Sequence, residues 1–84
     1  MSKKVEVYTW RDCPFCIKVK DLLVSEDVDF SEYDIQGDRD KLEALKAQTG
    51  SGTVPQVFVD GTFYGGCDDV HALYENGEFE SIFK

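Results

Sequence analysis

The chain has 84 residues, of which 42% are hydrophobic and 13% aromatic, a composition typical of one small domain with an apolar core. Its 17 acidic residues outnumber 9 basic ones, for a formal net charge of −8 at pH 7. Such a surface repels phosphate backbones and anionic lipids, so neither nucleic acid nor a membrane is expected as a partner.

The cysteine content bears on the compartment. The segment MSKKVEVYTW has no apolar signal region, and no apolar run approaches membrane-spanning length, so a cytoplasmic location is expected. Thiols are kept reduced there, and three cysteines, an odd number, make a poor framework of structural disulfides. Cys13 and Cys16 are therefore expected to serve redox chemistry or metal binding rather than to hold the fold together.

The first predicted elements are a strand and the helix behind it. The segment VEVY at residues 5–8 alternates between apolar and other side chains, which predicts a strand. After it, Cys16, Val19 and Leu23 fall at positions i, i+3 and i+7, which predicts a helix with one buried stripe. Pro14 suits the first turn of that helix, because the N–H that proline lacks would have no partner there.

Alternation and turn residues predict the remaining elements. The run VDFSEYDI at 28–35 predicts a second strand, and GDRDKLEALKAQTG at 37–50 predicts a helix with an aspartate cap. The segment PQVFVDGTFYGG at 55–66 predicts two strands joined by an Asp-Gly hairpin turn. Asp68 or Asp69 is expected to cap a third helix, and an amphipathic turn follows it.

This order, β-α-β-α-β-β-α, predicts an α/β fold with residues 1–84 as one domain. Two strands linked through a helix are expected to be parallel, with a right-handed crossover, whereas the hairpin adds antiparallel strands. The prediction is a four-stranded mixed sheet with helices on both faces.

The spacing of the cysteine pair indicates a division of labour. Cys13 is predicted at the strand-to-helix turn, where the first free N–H groups of the helix and its dipole stabilise a thiolate. Cys16 lies one turn further on, within the buried stripe. One exposed, activated sulfur beside a sheltered one is what a nucleophile and a resolving thiol require, and a C-x-x-C motif near a β-α-β pattern is typical of redox proteins.

A metal site is the alternative interpretation of these thiols. The segment GGCDDVHAL offers Cys67 and His71 at i and i+4 of a helix, which with Cys13 and Cys16 would make a Cys₃His zinc set. Zinc clips usually stabilise folds that lack a core, whereas this composition predicts one. No metal is therefore expected.

The motifs CPFC, TVPQVF and GGCDD together resemble those of small bacterial dithiol glutaredoxins, over essentially the whole chain. The resemblance implies the thioredoxin fold and a glutathione-dependent reduction of protein disulfides and glutathione mixed disulfides. It implies that Cys13 is the nucleophile and that Cys16 resolves protein disulfides through a reversible disulfide between the two. The implied partners are glutathione and disulfide-containing or glutathionylated proteins, with ribonucleotide reductase as a candidate, and a monomer is expected.

The resemblance also implies a glutathione site made by two motifs. The first matches the family's cis-proline loop, where the backbone of Val54 pairs with the cysteinyl part of glutathione as an added strand would. The second matches the segment that holds the γ-glutamyl end, where a helix N-terminus receives a carboxylate and Asp68 accepts the ammonium. The implied contacts in these motifs are Thr53, Val54, Pro55, Gly66, Cys67 and Asp68.

Departures from the family pattern affect the same site. The usual Tyr, Lys and Arg are replaced by Phe15, Trp10 and Gly52. A phenol hydroxyl and two cationic contacts to glutathione are thus missing, although Phe15 is still expected in the site. Arg11 is the substitute candidate for steadying the thiolate or a glutathione carboxylate, with Lys18 or Lys41 behind it. Glutathione binding is expected to be weaker and more salt-sensitive than is usual in the family.

Two other functions stay open at the level of sequence. One is a redoxin that is reduced by a flavoprotein reductase and serves as electron donor to ribonucleotide reductase, although such redoxins typically lack a proline between the cysteines. The other is a metal carrier, holding zinc or a cluster shared between two chains through Cys13 and glutathione. Cys67 is expected to be a secondary site of glutathionylation or dimerisation under oxidation.

Overall fold

The computed structural model describes residues 3–84, whose backbone follows the predicted order of elements. The strands are β1 (Val5–Thr9), β2 (Ser31–Asp34), β3 (Gln56–Val59) and β4 (Thr62–Gly65). The helices are α1 (Pro14–Ser25), α2 (Arg39–Thr49), α3 (Cys67–Glu75) and α4 (Phe79–Phe83). The order β-α-β-α-β-β-α is confirmed, and the amphipathic turn after it forms the short helix α4. Among these residues, no helix combines the length and the apolarity needed to cross a membrane.

The four strands form one mixed sheet in the order β2-β1-β3-β4. Strand β1 pairs in parallel with β2 and antiparallel with β3, and β3 pairs antiparallel with β4. The turn between β3 and β4 places Asp60 and Gly61 at φ angles of 51° and 83°. Two positive φ angles in succession match the right-handed twist of the flanking strands, which is why the Asp-Gly pair suits this turn.

Alternate side chains of the central strands divide the core between the two faces of the sheet. One face carries a cluster made by the sheet with α1, α3 and α4, and its members include Val5, Val7, Val57, Val59, Leu23, Val70, Phe79 and Phe83. On the other face, Phe58 packs with Leu45 of α2 and with Ile35. The predicted mixed sheet with helices on both faces is therefore confirmed.

The second strand is shorter than the sequence predicts. It begins at Ser31 rather than at residue 28, because the residues before it close helix α1. Asp27 has a positive φ of 57°, and the N–H of Val28 donates to the carbonyl of Leu23 at 2.9 Å. This 6→1 bond is the usual way of ending a helix with a left-handed residue. Val28 is consequently buried beside α1 instead of lying in the sheet.

The start of α3 also differs from the prediction. The residue that caps it is Gly66, and both Asp68 and Asp69 lie inside the first turn. Asp69 is the third residue of the helix, and its carboxylate accepts a hydrogen bond from the N–H of the cap residue Gly66 at 3.0 Å. The prediction of an aspartate at the cap was wrong, because the Gly-Gly turn brings the backbone into the helix one residue earlier than the aspartates.

Gly65, the last residue of β4, provides a test of this turn. Its φ is 102°, and a Cβ on it would overlap the Asp69 carboxylate. We expect Gly65→Ala to lower the free energy of unfolding by about 3 kcal/mol, from left-handed strain of ~1–2 kcal/mol together with loss of the Asp69 hydrogen bond. Urea unfolding measures the change.

Gly77→Ala is the matched control. Gly77 has a φ of 79°, and no neighbouring atom lies within 4 Å of the position that a Cβ on it would take, so strain alone should cost it about 1 kcal/mol. Equal losses in the two variants would contradict a close approach between Gly65 and Asp69.

Candidate active site

Cys13 lies directly before helix α1, with an extended backbone at φ −104° and ψ 110°. Its sulfur accepts a hydrogen bond from the backbone N–H of Cys16 at 3.4 Å and lies 3.9 Å from the carbonyl oxygen of Val54. Cys13 is partly exposed, in contrast to the buried Cys16. The structure thus places Cys13 at the strand-to-helix turn, where a helix N–H faces it.

Cys16, unlike Cys13, is shielded from solvent. It is fully buried in the stripe that it shares with Val19 and Leu23. Burial raises the pKa of the Cys16 thiol to about 12, and its hydrogen bond with Cys13 acts in the same direction. The N–H of Trp10 and the charge of Lys20 act against that rise but do not overcome it. The two sulfurs are not joined in a disulfide in this structure.

A cleft of about 290 Å³ opens next to Val54, whose carbonyl oxygen is the one 3.9 Å from the Cys13 sulfur, although Cys13 is not itself among the lining residues. One wall is the loop that ends at Pro55, and the other is the turn that leads into α3. The lining residues are Phe15, Ser51, Thr53, Val54, Pro55, Phe63, Gly65, Gly66, Cys67, Asp68 and Asp69. Every glutathione contact predicted from the sequence is among them except Arg11.

The two walls approach each other through a glycine. The Val54–Pro55 peptide bond is cis, as the resemblance to glutaredoxins implies. A Cβ on Gly66 would lie 3.2 Å from the carbonyl oxygen of Pro55, which is tighter than an ordinary contact. A side chain at position 66 would therefore push the walls apart, and the width of the cleft depends on glycine there.

Gln56 holds the loop wall in place through hydrogen bonds, a role that the sequence did not predict. It is 1% exposed. Its Nε2 donates to the carbonyls of Ser51 at 2.6 Å and Thr53 at 3.0 Å, and its Oε1 accepts from the Thr49 hydroxyl at 3.2 Å. The available signal was an amide at a position of a buried strand where an apolar residue is usual, since a buried amide needs hydrogen-bond partners.

Arg11 lies outside the cleft. Its Nε donates to the Asp34 carboxylate at the end of β2, and its backbone N–H donates to Gln36 Oε1 at 3.0 Å. The backbone N–H of Gln36 and the Arg11 guanidinium together hold the pKa of Asp34 below its ordinary value. Lys41 is also directed elsewhere, with its Nζ 5.1 Å from the centre of the Tyr8 ring. The contact of Arg11 with glutathione stays a prediction.

Cys67 is buried at the edge of the cleft, with 4% of its surface exposed. Its sulfur lies 3.5 Å from His71 Nδ1, which is also 2.8 Å from the Cys67 carbonyl oxygen. Burial raises the pKa of the Cys67 thiol, an environment that favours the thiol over the reactive thiolate. Glutathionylation at Cys67 stays a prediction, which mass spectrometry after exposure to excess oxidised glutathione would test.

The alternative zinc set is not assembled. Among residues 3–84, no group of three or more His, Cys, Asp or Glu side chains is arranged to hold a metal ion. Cys13, Cys16, Cys67 and His71 therefore do not form a coordination sphere in this structure.

Comparison with known proteins identifies relatives over the length of the chain. A family model for glutaredoxin matches residues 5–64. Glutaredoxin 3 of Escherichia coli strain K12 is 42% identical over 80 residues, which cover 95% of this chain and 96% of that protein.

Solved structures agree with this comparison. The solution structure of a glutaredoxin from Brucella melitensis matches with a TM-score of 0.88 and 32% identity, covering 99% of this chain and 90% of that one. The crystal structure of a buckwheat glutaredoxin–glutathione complex matches with a TM-score of 0.90 and 27% identity, covering 96% of this chain and 76% of that one. The expected thioredoxin fold is thus confirmed.

The raised pKa of Cys16 predicts a loss of stability at high pH. The ordinary thiol pKa is 9.0 and the folded value is about 12, so the unfolded state loses its proton first. The contribution to the free energy of unfolding is fully present below pH 9 and falls by about 1.4 kcal/mol per pH unit above it, until the folded thiol ionises. We expect the reduced wild type to lose about 1.4 kcal/mol more than Cys16→Ala between about pH 8 and pH 10.

Urea unfolding with a reductant at the two pH values measures this difference. Cys16→Ala lowers stability at both pH values by leaving a cavity, so the comparison uses the change with pH rather than the absolute values. Parallel losses in wild type and variant would contradict a buried, protonated Cys16.

Proposed function

Because the chain belongs to the glutaredoxin family and is a glutathione-dependent thiol-disulfide oxidoreductase, we propose that it works with Cys13 as nucleophile and Cys16 as resolving thiol. The observation that carries the assignment is the contrast between the two sulfurs. Cys13 is reachable and has a helix N–H aimed at it, whereas Cys16 is fully buried with a pKa raised to about 12.

The first route removes glutathione from a mixed disulfide. The Cys13 thiolate attacks the glutathione sulfur, the disulfide of the substrate breaks, and the departing thiolate takes a proton from water. A second glutathione, as its thiolate, then attacks the glutathione sulfur on Cys13, which releases glutathione disulfide and regenerates the Cys13 thiolate. The N–H of Cys16, 3.4 Å from that sulfur, stabilises the negative charge that Cys13 regains as a leaving group.

The second route reduces a protein disulfide and needs Cys16. Attack by Cys13 opens the substrate disulfide and leaves a mixed disulfide between the two proteins. Cys16 then attacks the Cys13 sulfur, the second substrate thiol leaves, and the Cys13–Cys16 disulfide forms. Two glutathione molecules reduce that disulfide in turn. The Cys13 hydrogen bond and charge that help to raise the pKa of Cys16 are lost once Cys13 is in a disulfide, so Cys16 becomes easier to deprotonate at the step that uses it.

Glutathione is proposed to lie extended along the cleft, with its cysteinyl part against Val54 as an added strand. The first-turn N–H groups of α3 then face the carboxylate of the γ-glutamyl end. Asp69 is already engaged with the N–H of Gly66, which leaves the exposed Asp68 to accept the ammonium. The proposed partners are glutathione and the disulfide-containing or glutathionylated proteins that these routes would reduce.

Serine substitutions separate the two routes. In a coupled assay with glutathione, glutathione reductase and NADPH, Cys13→Ser should reduce turnover of a small glutathione mixed disulfide to background, because an alcohol cannot form the adduct. Cys16→Ser should keep this turnover within about twofold and lose the reduction of a protein disulfide, since only the second route needs a resolving thiol.

The opposite pattern would contradict the assignment of roles, and so would equal loss in both variants. If the wild type showed no turnover with glutathione, the glutathione route itself would be refuted. A redoxin fed by a flavoprotein reductase would then become the leading interpretation.

A further inference from the structure

We propose that Lys46 supplies the positive charge that holds the glycine carboxylate of glutathione, in the space left by the missing side chain at Gly52. The inference rests on the proposed binding of glutathione in the cleft. It assigns a residue of α2 that lies outside all three motifs of the resemblance.

The need for a cation follows from the charges in the cleft. Glutathione carries two carboxylates and one ammonium at neutral pH, so it is a net anion. Within the described part of the chain, the lining residues include Asp68 and Asp69 but no lysine or arginine. Helix N–H groups can serve the γ-glutamyl carboxylate, whereas the glycine carboxylate finds no charged partner in the lining itself.

Most basic side chains of residues 3–84 have other partners. Salt bridges or hydrogen bonds engage five of them, as Lys3 with Ser81, Lys4 with Glu6, Arg11 with Asp34, Lys20 with Glu32 and Lys84 with Glu80. Lys41 lies over Tyr8, and Arg39 lines a separate cavity with Trp10. Lys18 and Lys46 remain. Lys18 lies on helix α1 rather than beside the loop wall, and its charge acts against the rise in the pKa of the Cys67 thiol.

Lys46 lies against the other wall. Its Cδ, Cε and Cγ atoms are 3.3, 3.7 and 3.8 Å from the position that a Cβ on Gly52 would take. The residues on either side of Gly52, Ser51 and Thr53, both line the cleft. Lys46 itself is not among the lining residues, but its stem passes Gly52 between these two, and its ammonium is one bond beyond Cε.

The end of helix α2 fixes this arrangement. Gly50 has a φ of 80°, and its N–H donates to the Lys46 carbonyl at 2.8 Å, which turns the chain back beneath the Lys46 side chain. A side chain at position 52 would meet the lysine stem. The Lys46 stem thus occupies the space that a side chain at position 52 would take. Lys46 of α2 therefore supplies a positive charge that Gly52 of the loop cannot.

The direction of the bound tripeptide selects this wall for the glycine end. With the cysteinyl part at Val54 and the γ-glutamyl end at Asp68, the stretch from Ser51 to Thr53 is the part of the lining that is left for the third residue. An ion pair there would be exposed to solvent, where such pairs are weak. Its effect on binding is therefore moderate and depends on salt.

The test uses a charge change that keeps the methylene stem. At low salt, Lys46→Met should lower kcat/KM for a small glutathione mixed disulfide about three- to fivefold, and Lys46→Arg should stay within about twofold of wild type. Lys84→Met is the control, because it makes the same charge change at a lysine that pairs with Glu80 at the end of α4, and its kcat/KM should not change. The difference between Lys46→Met and wild type should disappear in molar salt.

A second substrate identifies the group that Lys46 contacts. With the mixed disulfide of glutathione esterified at the glycine carboxylate, wild type and Lys46→Met should have equal kcat/KM. Equal losses in Lys46→Met and Lys84→Met would overturn the proposal, as would a loss in Lys46→Met that persists with the ester. Absence of turnover in the wild type would instead refute the proposed function, so the two failures are distinguishable.

Discussion

The active site depends on how helix α1 is seated on the sheet. Its buried stripe of Cys16, Val19 and Leu23 is completely removed from solvent, and this packing determines where the first turn of the helix points. Cys16 belongs both to the stripe and to the redox pair. The contact that anchors the helix therefore also desolvates the proposed resolving thiol, and it leaves Cys13 one turn away at the accessible end. Packing and the division of chemical roles have the same origin.

A polar contact on the flank of α1 reinforces this seating. Lys20 of α1 and the buried hydroxyl of Thr9 both donate to the Glu32 carboxylate, each at 2.8 Å, which ties the helix to β1 and β2. The hydrogen bond from Lys20 and then that from Thr9 hold the pKa of Glu32 below its ordinary value. On the other side of Cys13, Gln56 holds the loop wall, so the sulfur lies between two elements that are each fixed by buried contacts.

The sequence predicted the elements and the chemistry where the information was local. Alternation in VEVY and the spacing of Cys16, Val19 and Leu23 are one-dimensional signals of a strand and a helix face. The contacts expected from the family motifs all line a single cleft. Arg11, the candidate to replace the missing family cations, lies outside it, because proximity in sequence to Cys13 does not determine direction. The parallel register puts Thr9 opposite Asp34, and that carboxylate takes the guanidinium. The hydrogen bonds of Gln56 to the loop and the packing of the Lys46 stem against Gly52 depend on how the loop after α2 folds back. A periodic sequence pattern does not encode such a fold.

The hydrogen bonds that Gln56 donates to the loop affect how readily a ligand can enter and leave the cleft. A loop whose carbonyls are already held by a buried amide has little conformational entropy left to lose when a ligand arrives. Glutathione bound as we propose would therefore meet a wall that needs no rearrangement to receive it or to release it. Tight binding usually orients the attacking sulfur but slows the release of product. A preorganised wall can orient the sulfur without tight binding, because the scaffold rather than the affinity sets the geometry.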